Sequence, residues 1–220
     1  MNLVFFTNNL GSGGAEKVML TLVNYFCRIH KVTVVTIDSG GYYYEMLRDL
    51  PIEYHHIKKG KGNTLSYILS FNKILRQSQT DIVFSFLWFP NIINAFANLF
   101  SNRKVILSER SNHRIYLSET FKKRFIWKNL LRLAYFRANK IVPNSSRMAN
   151  YIQQDFNCKL KKIRFIHNGI DFEELERLQS EPVDDYVFDS HYKYIAAVGR
   201  LFTPKNYFYL LEVFKGASII

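Results

Sequence analysis

Short apolar runs alternate with amphipathic stretches along most of this chain. Leu3-Val4-Phe5-Phe6 ends at a polar, glycine-rich loop, and Ala15 to Phe26 follows with helical spacing at Val18, Leu22, Val23 and Phe26. Lys31 to Ile37 is rich in β-branched residues and closes on the turn cluster Asp38-Ser39-Gly40-Gly41, which predicts a second strand. Ile52 to Ile57 reads as a third strand, Thr64 to Gln77 as a helix, Asp81 to Phe86 as a fourth strand and Pro90 to Phe100 as a helix with proline in its first turn. The alternation continues through Val105-Ile106-Leu107, a long helix over Thr120 to Arg137, Lys140-Ile141-Val142, a helix from Ser146 to Asp155, and a strand at Ile163 to Ile166. Strands that are apolar on both faces and alternate with helices imply a parallel sheet covered on both sides. The expected fold is therefore α/β, a doubly wound parallel sheet over residues 1–171. A short helix over Phe172 to Leu178 lies in an acidic connector, 172–192. Tyr194 to Val198, a Gly-Arg loop and a helix over Tyr207 to Phe214 then read as the opening unit, 193–220, of a truncated second α/β domain.

Charge sharpens this division. The net charge is +12, but residues 1–170 hold 25 Lys/Arg against 9 Asp/Glu, whereas residues 171–189 hold eight acids and one arginine. Such a surplus favours an anionic partner: a nucleotide diphosphate, a phosphorylated acceptor, an anionic membrane surface or nucleic acid. Nucleic acid is the weakest of these, because no RNP, helix-turn-helix or zinc pattern accompanies the basic residues. No apolar run is long enough to span a bilayer, and the first residues lack the basic n-region of a signal peptide, so a cytoplasmic location is expected. Cys27 and Cys158 have no metal-ligand spacing and read as reduced structural thiols.

In an open parallel sheet, ligands bind beyond the carboxyl ends of the strands. The first such loop, Asn8 to Glu16, contains Gly11, Gly13 and Gly14; it reads equally as a tight turn or as a loop whose backbone approaches phosphate or sugar hydroxyls. Neither the dinucleotide fingerprint nor the P-loop spacing is met. After the fifth strand, Ser108-Glu109-Arg110-Ser111-Asn112-His113-Arg114 gathers a carboxylate, guanidinium groups, hydroxyls and an imidazole, the mixture a polar acceptor site needs. Asn144 and Ser145 precede a helix that they could cap, and His167-Asn168-Gly169-Ile170-Asp171 is a turn by default. Arg200 and Lys205 follow the last apolar run, where two cations suit a departing diphosphate.

Taken together, Gly13-Gly14-Ala15-Glu16, Val142-Pro143-Asn144-Ser145-Ser146, Asn168-Gly169-Ile170-Asp171 and Val198-Gly199-Arg200-Leu201 with Lys205 resemble the family 4 retaining glycosyltransferases of the GT-B architecture. The wording Ser108-Glu109-Arg110-Ser111-Asn112 is similar to bacterial members that extend lipid-linked oligosaccharides and surface polysaccharides. The resemblance implies two Rossmann-like domains, the first for the acceptor and the second for the nucleotide-sugar. It places Gly13, Gly14, Asn144, Asn168, Gly169, Arg200 and Lys205 around the donor, with Arg200 and Lys205 clamping its diphosphate. Many members have a histidine at the strand end where this chain has Glu109-Arg110, so Glu109, Arg110 and nearby His113 are the candidates for catalysis. The implied reaction is transfer from a nucleotide-sugar, a UDP-sugar, to a glycan or lipid-linked acceptor. The acceptor hydroxyl attacks the face from which the diphosphate departs, and anomeric configuration is retained. Neither a cofactor nor a metal is expected. The family's usual glutamate pair, seven residues apart, belongs to a region this sequence does not contain, so the chain reads as a fragment without turnover of its own; the alternative is a non-catalytic acceptor- or membrane-binding module.

Between Glu119 and Asp155 there are eight Lys/Arg and no acid. On a helical projection Arg124, Lys128 and Arg132 form one stripe with Phe121 and Phe125 beside it, while Ile126, Leu130 and Leu133 are expected to enter the core. That arrangement suits peripheral contact with anionic lipid on the cytoplasmic face of the inner membrane.

Overall fold

The computed structural model describes residues 1–57, 63–110, 121–170, 172–182, 186–199, 201 and 205–216. The chain divides into two units, Met1–Ile170 and Asp171–Ile220.

The first unit is built on a six-stranded, wholly parallel sheet: β1 (Asn2–Thr7), β2 (Lys31–Thr36), β3 (Glu53–His56), β4 (Ile82–Phe86), β5 (Lys104–Glu109) and β6 (Lys140–Pro143). Their order is β3-β2-β1-β4-β5-β6. The connecting helices are α1 (Gly14–Phe26), α2 (Tyr44–Arg48), α3 (Thr64–Gln77), α4 (Trp88–Ala97), α5 (Phe121–Arg137) and α6 (Ser146–Phe156). Strand order reverses between β1 and β4, which opens a crevice at their carboxyl ends, the usual binding place in such sheets.

Period-two alternation sends successive side chains to opposite faces. Val4, Phe6, Val35 and Val83 pack under Phe71 and Leu75 of α3 and Ile93 of α4. Farther along the same face, Val105, Leu107 and Ile141 meet Ile92 of α4, Leu131, Ala134 and Tyr135 of α5, and Ile152 and Phe156 of α6. On the reverse face, Leu3, Phe5, Val32 and Val34 lie under Met19 and Val23 of α1 and Leu47 of α2. Phe5 stacks on its ladder partner Phe84 at 4.9 Å. Each buried aliphatic or phenyl side chain contributes roughly 1.5–3 kcal/mol, so the triple-layered part of the sheet carries most of the stability.

Three expectations need revision. Ile163 to Ile166 forms no regular strand: Ile163 makes one parallel bridge to Ile141, and the amides of Arg164 and Ile166 donate to the carbonyls of Ile141 and Pro143. The segment runs beside β6 as an edge, with no neighbour on its other side in the ladder order to impose a full register. Tyr194 to Val198 also forms no strand. An apolar run has no ladder to join without a second strand of its own unit, and the other described elements of that unit are the helices α7 (Phe172–Gln179) and α8 (Tyr207–Gly216). Finally, the buried face of α5 is offset from the expected one. Leu131, Ala134 and Tyr135 are buried and Trp127 half-buried, whereas Ile126 and Leu133 are 56% and 55% exposed. Arg137 lies on the inner side because it has work there: its guanidinium donates to the carbonyls of Asn98 and Ser101 at 2.8 Å each, just past the end of α4.

Candidate functional site

Four strand ends of the first unit lead into the loops singled out above. After β1 the chain enters α1 with Gly13 as an extended N-cap that has no side chain to offer. Glu16 folds back over this cap, and a Cβ at Gly13 would collide with its carboxylate. That carboxylate is the end of a flexible side chain and can swing aside, and the Gly13 backbone is extended, so neither packing nor conformation demands glycine at 13. At Gly14 a Cβ would meet nothing within 4 Å, so packing does not demand glycine there. The β1 loop is held by its neighbour after β2. Gly41, at φ +121°, lies so close that a Cβ would come within 2.5 Å of the Leu10 carbonyl, and the Tyr43 amide donates to that carbonyl at 2.8 Å.

The end of β5 separates two adjacent candidates. Glu109 points into the core and is 0% exposed. Its Oε1 accepts from Asn91 Nδ2 at 2.7 Å and from the Tyr135 hydroxyl at 2.9 Å. Ser85 Oγ donates to Asn91 Oδ1 at 2.7 Å, Asn94 donates to Ser85 Oγ at 2.9 Å, and Asn98 donates to Asn94 Oδ1 at 3.0 Å, so a polar chain runs down the buried side of α4. Burial and the negative charge of Glu109 together hold the Tyr135 phenol well above the ordinary tyrosine range. Glu109 therefore sits beneath the candidate site rather than on its surface.

Arg110, one residue on, points to the opposite face. Its Nε donates to Ser108 Oγ at 2.7 Å, its Nη1 donates to Asn168 Oδ1 at 2.6 Å, and its guanidinium lies 5.7 Å over the Phe86 ring. Burial lowers its pKa, and the charge of Glu109 acts in the opposite direction. Two candidates 58 positions apart in sequence are thus brought into contact. Arg110 also lines a pocket of about 440 Å³ between α1 and the β4–β6 face, together with Phe84, Phe86, Ile106, Val142, His167 and Gly169 among others. A Cβ at Gly169 would meet nothing within 4 Å. At the end of β6, Asn144 is half-buried, and Ser145 caps α6 by accepting from the Met148 amide at 3.2 Å.

In the second unit, the Lys205 stem lies beside Gly199, and the Tyr207 hydroxyl donates to the Gly199 carbonyl at 3.0 Å. His113, Asp171 and Arg200 lie outside the described residues. Asn91 and Tyr135 were not singled out from sequence, although one signal was available: Asn91, Asn94 and Asn98 recur at helical spacing in an otherwise apolar segment. Nothing in the local sequence marks Phe86 or His167 as neighbours of Arg110.

The family model described as Glycosyltransferase Family 4 matches residues 12–174. The chain belongs to this family. Among its relatives, the chain is 28% identical over 221 residues to the N-acetylgalactosamine-N,N'-diacetylbacillosaminyl-diphospho-undecaprenol 4-alpha-N-acetylgalactosaminyltransferase of Campylobacter jejuni, an alignment covering 96% of this chain and 58% of that protein. It is 25% identical over 219 residues to a second alpha-1,4-N-acetyl-D-galactosaminyltransferase of the same organism, which acts on a diNAcBac-PP-undecaprenol-linked saccharide, with 94% and 54% covered. The chain thus spans little more than half the length of these relatives. Among solved structures, Anabaena Alr3699/HepE in complex with UDP-glucose superposes with a TM-score of 0.60 at 17% identity, covering 79% of this chain and 45% of that one. The likeness shows the fold, a Rossmann-like α/β unit that matches less than half of that structure.

Proposed function

We propose that this chain is the acceptor-side half, with the beginning of the donor-side half, of a retaining glycosyltransferase that moves a sugar from a UDP-sugar to a lipid-diphosphate-linked glycan. The observation that carries this reading is the 2.6 Å contact between Arg110 and Asn168, which joins the ends of two chain segments at the carboxyl edge of the sheet and leaves a half-buried cation there. Gly14 and Gly169, where packing demands no glycine, support it, since they leave room for a ligand close to backbone. In this role Arg110 meets negative charge that grows on a diphosphate as a glycosidic bond breaks. The family resemblance separately assigns Arg200 and Lys205 to the diphosphate of the donor. Glu109, tied to Asn91 and Tyr135, fixes the backbone from which Arg110 projects; it is a positioning residue. The names of the Campylobacter relatives support an undecaprenyl-diphosphate-linked acceptor, and the HepE complex supports UDP as the nucleotide.

Peripheral membrane contact belongs to the same reading. Outward-facing Phe125, Ile126, Leu133 and Phe136 alternate on α5 with Arg124, Lys128 and Arg132, a surface suited to anionic lipid at about 1 kcal/mol per cation. Among the described residues, no helix is long and apolar enough to cross a membrane.

The test is a transfer assay with UDP-N-acetylgalactosamine and an undecaprenyl-diphosphate-linked acceptor. The 220-residue polypeptide alone is expected to bind acceptor and transfer nothing. Joined in frame to the donor half of a family member, it is expected to transfer with retention. Acceptor binding without any transfer by the joined protein would instead identify a non-catalytic binding module.

A further inference from the structure

A concentration of positive charge among the described residues of the first unit lies away from the strand ends discussed above. Helix α5 ends at Arg137 and β6 begins at Lys140, so the last turns of α5 reach the edge where the strands start. Here α5 meets the end of α6 and the 3-10 turn Leu160–Lys162 around a cavity of about 490 Å³, a volume ordinary for a small-molecule site. Its walls include the rings of Tyr135 and Phe156, in edge contact at 5.0 Å, and of Phe136, which is 79% exposed. Its rim carries Arg132, Lys159, Lys161 and Lys162, and no carboxylate is among the described residues that line it.

This geometry is held in place. Asn157, in the left-handed conformation at φ 51°, ends α6 and turns the chain into the basic segment. Lys140 Nζ donates to the Lys161 carbonyl at 2.9 Å, and Lys162 Nζ donates to the Phe136 carbonyl while lying 5.4 Å over the Phe136 ring. Lys162 is thereby committed to the end of α5, and the exposed Arg132, Lys159 and Lys161 remain to face a ligand. Burial foremost, and then the charges of Lys159, Arg137 and Lys161, lower the Lys162 pKa, with the Cys158 thiolate form acting in the other direction. Like charges gathered without a counter-charge cost free energy that a bound anion would return.

We propose that this cavity is a second binding site, for a phosphate ester with an apolar body: the phosphate among Arg132, Lys159 and Lys161, the apolar part against Phe136 and Phe156. The inference uses none of the residues at the carboxyl edge and so does not depend on the transfer reaction, although it shares Arg132 and Phe136 with the α5 surface proposed above for anionic lipid.

Three probes test it on the 220-residue chain by calorimetric titration: inorganic pyrophosphate, monomeric dihexanoyl phosphatidic acid, and dihexanoyl phosphatidylcholine. Anionic probes are expected to bind and phosphatidylcholine is not. The triple variant Arg132→Gln, Lys159→Gln, Lys161→Gln is expected to weaken binding by at least about tenfold. A control with the same loss of charge elsewhere, Arg28→Gln, Lys73→Gln, Arg147→Gln, is expected to weaken it by less than about twofold. Phosphatidic acid binding about tenfold or more tighter than pyrophosphate supports an apolar body beside the phosphate and assigns the site to a lipid headgroup, whereas equal affinities overturn the apolar half of the proposal. Equal losses in the two triple variants, or no binding of either anion at millimolar concentration, overturn the proposal.

Discussion

The two faces of the sheet are finished differently. On one, α3 to α6 cover β1, β2 and β4 to β6, and even the polar groups are buried and hydrogen-bonded: Ser85, Asn91, Asn94 and Glu109. On the other, α1 and α2 cover β1 and β2, while Phe84, Ile106 and Val142 on β4 to β6 remain half-buried around a pocket. Glu109 and Arg110 lie on either side of this divide. Strand alternation alone sends neighbouring residues to opposite faces, and here it turns one charged residue into a core anchor and the next into a ligand-facing cation. A covered face stabilises; an open face at a strand's carboxyl end is where chemistry has room.

The contrast can be broken first by truncation. Phe71→Ala on the covered face is expected to cost about 3–5 kcal/mol in denaturant unfolding, whereas Ile106→Ala on the open face costs about 1 kcal/mol, because solvent can enter the space it leaves. Comparable losses would mean that both faces are equally packed. Next comes Arg110→Ala. It is expected to lower kcat/KM of the joined protein by roughly a hundredfold or more, with little change in unfolding midpoint, if the guanidinium stabilises a departing diphosphate. A change in stability without a change in rate would make it structural. Glu109→Ala is expected to affect both, losing about 2–3 kcal/mol of stability because Asn91 and Tyr135 lose their acceptor and lowering kcat/KM because the backbone that carries Arg110 is less firmly held. Glu109→Gln, which can still accept both bonds, should recover most of that loss.

A smaller effect follows from pH. Burial, against the opposing charges of Lys162 and Arg132, raises the Cys158 thiol to about 11. Unfolding returns it to its ordinary value, so between roughly pH 9 and 11 the unfolded chain binds fewer protons than the folded one, and stability falls as pH rises through that window. In the folded protein, alkylation of Cys158 at pH 8 should proceed far more slowly than that of an unperturbed thiol. The smallest effect is expected outside both faces. Gln79 is exposed and holds φ 47° just after α3, so Gln79→Gly should be neutral or stabilise by about 0.5 kcal/mol in thermal melts.

Much of this arrangement is visible in the chain itself. The apolar runs and helical periods place β1 to β6, and α3 begins and ends at the residues its periodicity predicts, because a strand buried on both faces and a helix buried on one leave different repeats. The family motifs are equally local, and the matched region includes Gly13, Asn144 and Asn168. Where reading failed, the missing information was tertiary. The apolar face of α5 is set by what α4 and α6 present to it, so Ile126 and Leu133 face outward although their spacing suits a core stripe. Tyr194 to Val198 has the residues of a strand but no partner to hydrogen-bond, and β propensity acts only through a neighbour.

Sequence alone determined the α/β alternation, the excess of positive charge and the candidate loops, since periodicity, composition and turn chemistry are properties of contiguous residues. Only tertiary structure decided that Glu109 is buried, that Arg110 reaches Asn168, and that Arg132 joins Lys159 and Lys161 around one cavity. Contacts between residues far apart in the chain depend on how layers stack and strands order, and no local pattern encodes them.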